Sequence, residues 1–344
     1  MNIPIQNIYY LLCYAWDKLA DKDVVDVKPL DSKSLMDLFA HVLINGTNHL
    51  LKRGFDRGYV PVQEWTGRLR GRICFREAIQ KNALNTPALP CSFDELSYNV
   101  LHNQILKATM RRLILMPDLE KENTDRLAQL CRMFSDIEDI EITSRLFSRV
   151  QLHRNNQFYD FLLKVCELIH DNLLISEDSG KSKFKDFIRD EGQMRSLFEK
   201  FVLNFYHQHG AAYKVKSEHI RWRMYSANEQ FQNLLPAMRT DISLTSTIRK
   251  IIIDCKYTPN AMGVHYRSDK ETLRSEHLYQ IHAYMTNLEE GGLNDECEMM
   301  LLYPTVNKDF SATYFEKKHK ISIRSINLNQ DWQGIHNDLL ALVA

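Results

Sequence analysis

Asp241, Asp254 and Lys256 are residues whose types and spacing could do chemistry. Asp241 opens a short run with apolar Ile242 and Leu244, the pattern of a half-buried strand. Residues 245–249 are mostly polar and read as a turn. Ile251, Ile252 and Ile253 follow, a β-branched run suited to a strand buried on both faces, and the run ends in Asp254-Cys255-Lys256. Side chains alternate along a strand, so Asp254 and Lys256 share a face. A hairpin between the two strands can bring Asp241 beside Asp254. Two carboxylates at one place repel unless a cation separates them. Oxygen ligands of this kind suit Mg²⁺, which keeps several waters and leaves room for a phosphate. Lys256 beside that ion could orient or deprotonate an attacking water, or stabilise charge on the phosphate. This is the logic of metal-assisted phosphodiester hydrolysis. An Asp-x-Lys at a strand end is also common by chance, and a surface ion pair would account for it.

The flanking elements bear on that choice. Leu197, Phe198, Phe201, Val202 and Phe205 recur at helical spacing before the hairpin, with Glu199 among them. Leu278, Ile281 and Met285 do so after it, with Gln280 and Tyr284 one turn apart. A helix, strands carrying Asp and Asp-x-Lys, and a helix with Gln-x-x-x-Tyr together resemble the core of the PD-(D/E)xK nuclease superfamily. Thr240 stands where that family's name has Pro, which leaves the metal-binding Asp in place.

Composition sets the bounds. The 344 residues suffice for two domains, and 44% hydrophobic content permits a proper core. Lys plus Arg and Asp plus Glu are 44 each, so any basic surface must be local. Seven Cys are scattered without a Cys-x-x-Cys pair, which weakens zinc and iron–sulfur readings. With no signal peptide and no long apolar run, the expectation is a cytoplasmic protein without membrane contact.

Along the chain, within residues 1–19, Asn7 reads as the cap of a first helix that follows it, and residues 34–51 read as a second helix. Residues 53–76 carry Gly54, Gly58, Gly67 and Gly71 with strand-like Val60, Val62, Ile73 and Phe75. Arg68, Arg70, Arg72 and Arg76 stand at even-numbered separations there, hence on one face if the run is a strand. That face is either a solvated sheet surface or one that meets phosphates of nucleic acid or of a partner's nucleotide. Helices are expected over 94–115, 119–134 and 158–174. Residues 176–190 break the pattern, so domains are placed at 1–185 and 186–344. Gly180-Lys181-Ser182 lacks the earlier Gly and the preceding strand of a phosphate loop, so any nucleoside triphosphate belongs to another chain. A helix over 194–209 precedes the hairpin, and residues 213–224 look strand-like, with Arg221 and Arg223 on one face. His265, Tyr266, Arg267, Lys270 and Arg274 lie in a polar loop that either touches DNA backbone or is plainly solvated. Residues 299–303 and 321–326 read as strands and 332–343 as a closing helix.

Nearly the whole chain resembles the McrC family, the nuclease subunits of McrBC modification-dependent restriction systems. Ile3-Pro4-Ile5-Gln6-Asn7-Ile8-Tyr9-Tyr10 with Tyr14-Ala15-Trp16 carries the likeness at the start, and Gly71-Arg72-Ile73 and Phe93-Asp94-Glu95-Leu96 in the middle. Leu234-Leu235-Pro236, Thr240-Asp241-Ile242, Ile253 to Tyr257, Leu278-Tyr279-Gln280, Tyr303-Pro304 and Asn327-Leu328 complete it. The resemblance implies an α+β N-terminal domain, helix-rich with a small β element, and then an α/β PD-(D/E)xK endonuclease-like domain with a mixed central sheet. It implies that Asp241 and Asp254 hold Mg²⁺, with Cys255 contributing its main chain, and that Lys256 serves the water. Glu199 and Gln280 are its supporting candidates. It also implies an McrB-like AAA+ GTPase hexamer as partner, which reads modified cytosine, uses the GTP and translocates double-stranded DNA. The N-terminal half would dock on that ring and stimulate GTP hydrolysis. Arg68, Arg70 and Arg72 are expected at the ring or at phosphate on the residues alone. The competing expectations are a non-catalytic assembly factor that activates the ring's GTPase, and a stand-alone DNA repair nuclease.

Overall fold

The computed structural model of the chain describes residues 3–18, 34–81, 86–175, 182–184, 188, 190–224, 226–258, 262–264, 271–288, 292–307 and 309–344. The chain forms two units. The first helix, α1 (Ile5–Ala15), belongs with residues 186–344, and residues 31–185 form a helical unit between them in sequence. The expectation of one block over 1–185 therefore misplaces α1. The reason lies at Asn7. Pro4 precedes the helix, so Asn7 is no cap but sits one turn inside, buried, with Nδ2 donating to the carbonyls of Leu328 and Gln330, both at 2.8 Å.

The helical unit begins with α2 (Leu35–Arg53), capped by the Ser34 hydroxyl, which accepts from the Asp37 amide at 3.1 Å. The strands β1 (Gly58–Thr66), β2 (Arg72–Ile73) and β3 (Leu89–Ser97) pair antiparallel in the order β1-β3-β2, with the short helix α3 (Phe75–Gln80) between β2 and β3. Then come α4 (Leu101–Ile114), α5 (Lys121–Arg132), α6 (Ser144–Phe147) and α7 (Phe158–Asn172). Helices α2, α4, α5 and α7 pack together, burying Phe39, Leu106, Leu127 and Phe161. The unit ends in a pair of short strands, β4 (Leu173–Ile175) and β5 (Ser182–Phe184). Two expectations are corrected here. The helix expected over 94–115 starts at Leu101, because Asp94 to Ser97 continue β3 opposite β1. The four arginines do not share a strand face. Only Arg72 lies in a strand, Arg76 lies in α3, and the chain turns at Gly71, where φ is +62°. Much of the expected boundary at 176–190, including Gly180-Lys181, lies outside the described residues.

The C-terminal unit opens with α8 (Glu191–His209), capped by Asp190, whose Oδ1 accepts from the amides of Gly192 and Gln193. Then follow β6 (Lys214–Lys216), β7 (His219–Ile220), β8 (Met238–Arg239), β9 (Ile242–Thr245), β10 (Lys250–Cys255), β11 (Met262–Val264) and β12 (Glu271–Leu273). After them come α9 (Ser275–Asn287), β13 (Glu298–Thr305), β14 (Ser311–Glu316), β15 (His319–Asn327) and α10 (Trp332–Ala341). Six strands make a mixed sheet in the order β14-β15-β13-β10-β9-β6, with β10, β13 and β15 parallel. Strands β9, β6 and β14 add antiparallel at the edges. Every residue of β10 is buried, as its isoleucine run predicts. Helix α9 covers one face, setting Ile281, Tyr284 and Met285 against Ile252, Met299 and Leu301. The strand expected over 213–224 is broken into β6 and β7, and Arg221 and Arg223 lie beyond both. The loop residues His265, Tyr266, Arg267 and Lys270 lie outside the described residues. Among the described residues no helix is long and apolar enough to cross a membrane.

Candidate active site

The hairpin β9–β10 pairs Ile242 with Ile253, so the next step outward sets Asp241 opposite Asp254. Thr240 fixes that entry. Its Oγ1 accepts from the Glu218 amide at 2.9 Å and lies 3.0 Å from the Ser243 hydroxyl. The Cys255 amide donates to Asp241 Oδ2 at 2.8 Å, tying the two strands at the carboxylate itself.

Asp254 is wholly buried, and its Oδ2 lies 2.6 Å from Lys256 Nζ, two residues along the same strand face. Lys256 Nζ also donates to Gln280 Oε1 at 2.6 Å, and Gln280 Nε2 donates to the Tyr284 hydroxyl at 2.7 Å. That hydroxyl reaches the Arg239 carbonyl at 2.9 Å and Asp254 Oδ1 at 3.4 Å. Asp254, Lys256, Gln280 and Tyr284 thus close a ring across β10 and α9. Glu199 comes from α8 and, with Asp241, Cys255, Lys256 and Gln280, lines a cleft of about 460 Å³. Asp254 lies beneath this lining. A larger cleft of about 550 Å³ lies around Lys216, Glu218 and Lys250. There the carboxylate is already matched by two lysines, at 2.8 and 2.9 Å, which leaves no negative charge to be met.

The electrostatics of the smaller cleft are unbalanced. Burial, followed by the charges of Asp254 and Glu199, pushes Asp241 up to about 7. Burial raises Asp254 despite the opposing pull of Lys256. Burial and then Asp254 raise Glu199. The three carboxylates face the Lys256 ammonium and, at Glu199 and Asp254, the Arg195 guanidinium as well, yet all three stay raised, so the site tolerates full ionisation poorly unless more positive charge arrives. Among the described residues no three His, Cys, Asp or Glu side chains converge into a ready-made metal centre. The Cys255 thiol is buried and held well above its ordinary pKa, so as a thiol it is a poor ligand and only its main chain suits a hard cation.

Sequence reasoning leaves several cleft residues unassigned. Arg195 stands one turn before Glu199, and His277 one turn before Gln280. Helical spacing from those two residues is the signal that could have found both. Tyr284, in sequence only a motif position, closes the ring.

The family described as "McrBC 5-methylcytosine restriction system component" matches residues 6–304. The chain is also 31% identical over 339 residues to "Type IV methyl-directed restriction enzyme EcoKMcrBC" of Escherichia coli strain K12, covering 98% of this chain and 96% of that protein. The chain belongs to the McrBC family. A solved assembly of Thermococcus gammatolerans McrB AAA+ hexamers with bound McrC contains a chain of like fold, with a TM-score of 0.61 at 18% identity. The likeness covers 99% of this chain and 76% of that one. Within the McrBC family match lie α8, the hairpin, α9 and most of β13, and so every cleft residue named above.

Proposed function

We propose that this chain is the DNA endonuclease subunit of a GTP-dependent, methylcytosine-directed restriction complex, working in the cytoplasm. The arrangement that carries the reading is the ring of Asp254, Lys256, Gln280 and Tyr284 beside the destabilised carboxylate of Asp241. The helix–hairpin–helix order around it supports a PD-(D/E)xK core. The donor set is all oxygen and short of positive charge, which fits Mg²⁺. Asp241, Asp254 and the Cys255 carbonyl would hold the ion, with Glu199 in support. Mg²⁺ would supply Lewis-acid activation of the phosphate and a more acidic bound water. Lys256 has three N–H donors, and Asp254 and Gln280 engage two of them. The third is left to orient the attacking water or a phosphate oxygen. Gln280 holds that ammonium in place, and Tyr284 holds Gln280.

The partner in this reading is an AAA+ GTPase ring of the McrB kind, and the substrate is double-stranded modified DNA. Support comes from the named relatives, one a methyl-directed restriction enzyme and one an McrC bound to McrB hexamers. The helical unit is the docking part, with Arg68, Arg70 and Arg72 exposed on and beside the turn at Gly71.

Asp254→Ala in the purified complex should abolish cleavage of methylated plasmid while GTP hydrolysis stays stimulated. Cleavage that survives this change refutes the site. A non-catalytic brace would bind neither Mg²⁺ nor Mn²⁺ in calorimetric titration, and a stand-alone repair nuclease would cut without GTP or partner.

A further inference from the structure

His277 stands in the wall of the same cleft, and none of the roles above uses it. Its Nδ1 lies 2.8 Å from the hydroxyl of Tyr303, a wholly buried residue of β13. Among the described residues this ring is the only hydrogen-bond partner of that hydroxyl. A buried hydroxyl must donate its proton somewhere, so Tyr303 donates and Nδ1 accepts. The ring's own proton then sits on Nε2. The nearest acidic oxygen to that nitrogen is Glu276 Oε1 at 3.7 Å, too far for a hydrogen bond, and the Glu276 side chain is 71% exposed. His277 is 14% exposed and lies in the first turn of α9, where the helix dipole opposes a positive ring. Burial, with Lys256 next, pushes its pKa down to about 4, so the ring is neutral near pH 7.

A ring with Nδ1 occupied and Nε2 already protonated cannot take a proton from water. What remains to it is donation of one N–H into the cleft. We propose that His277 is a further catalytic residue of this site, a neutral donor whose Nε2–H binds a non-bridging oxygen of the scissile phosphate, with Tyr303 as the residue that fixes its tautomer. No proton is transferred; the bond strengthens as charge builds on the phosphate, in the manner of an oxyanion-hole donor. This rests on the nuclease reading given above.

The test uses the full complex with its GTPase ring, under single-turnover conditions on methylated plasmid. His277→Ala should slow cleavage roughly 100-fold, the usual loss for one such donor, with GTP hydrolysis unchanged. His277→Gln keeps an N–H on the side chain and should recover most of that loss. Tyr303→Phe frees the tautomer and should slow cleavage roughly 10-fold, a milder form of the same loss. The pH profile between 6 and 9 should keep its shape in His277→Gln, because a neutral donor adds no titration of its own. Wild-type rates in His277→Ala overturn the proposal. So does a His277→Gln variant as slow as His277→Ala with wild-type melting, or one whose profile loses a limb. If His277→Ala fails to fold, the Gln and Phe variants decide the same question. Asp254→Asn separates the two layers. An inert Asp254→Asn beside a full-rate His277→Ala removes the role of His277 alone, whereas a full-rate Asp254→Asn removes the nuclease reading and this one with it.

Discussion

Asp241 keeps one carboxylate oxygen on the Cys255 amide while its charge meets those of Asp254 and Glu199. In an unfolded chain it would titrate near 4, whereas in the fold it titrates at about 7. The folded state therefore binds the extra proton, and metal-free stability falls as pH rises from near 4 to near 7, then levels off. We expect the metal-free protein to melt lower at pH 7.5 than at pH 5, and Asp241→Asn to flatten part of that slope, since burial also raises Asp254 and Glu199. An equal slope in both proteins would show that Asp241 is not the titrating group. At this scale Asp241, Asp254 and Lys256 are legible in the sequence because strand alternation and a hairpin suffice to bring them together. His277 and Tyr303 are not, since their pairing depends on how α9 lies against β13, which no local pattern encodes.

The elements are unevenly legible, and the physical reasons differ. The isoleucine run of β10 has one plausible home, a central strand, and it is there. β14 escapes a reading by pattern because its burial does not alternate, Tyr314 and Phe315 both being exposed at the sheet edge. The end of β3 passes for helix because Leu101, Ile105, Leu106 and Met110 recur at helical spacing just beyond it and no Gly or Pro between Asp94 and Leu101 marks the boundary. The arginine run fails as a strand at Gly71. A Cβ there would meet the Ser92 carbonyl oxygen at 2.4 Å and Phe93 Cβ at 2.6 Å, and φ is positive. The turn lets Arg70 lie over the Phe93 ring at 4.4 Å. Gly71→Ala should therefore cost about 2 kcal/mol by denaturant unfolding, the scale of a strained backbone position. It should also weaken GTPase stimulation if this turn meets the ring. An unperturbed unfolding midpoint would mean the turn relaxes without strain.

At the scale of the molecule, α1 is the part of the chain furthest in sequence from what it contacts. Asn204 Nδ2 donates to the Tyr14 carbonyl at 2.9 Å, the Tyr14 hydroxyl lies 2.9 Å from His209 Nε2, and Tyr10 stacks on Trp332 with centroids 4.8 Å apart. Removing the two hydrogen bonds of Asn7, one buried and one partly buried, deprives the carbonyls of Leu328 and Gln330 of that donor. Asn7→Ala should cost about 2 kcal/mol, read as a lower unfolding midpoint. A fragment of residues 186–344 should fail to fold alone and recover when a peptide of residues 1–18 is added. A fragment that folds without the peptide would show α1 to be an accessory. The spacing of these contacts also has a temporal side. A ribosome adding roughly 5–20 residues each second makes α1 first and α8 some tens of seconds later at the slow end. Through that interval the Tyr14 ring lacks the α8 and α10 side chains it meets in the fold, Phe201, Phe205 and Trp332, and the nascent helix depends on a chaperone to stay out of aggregates.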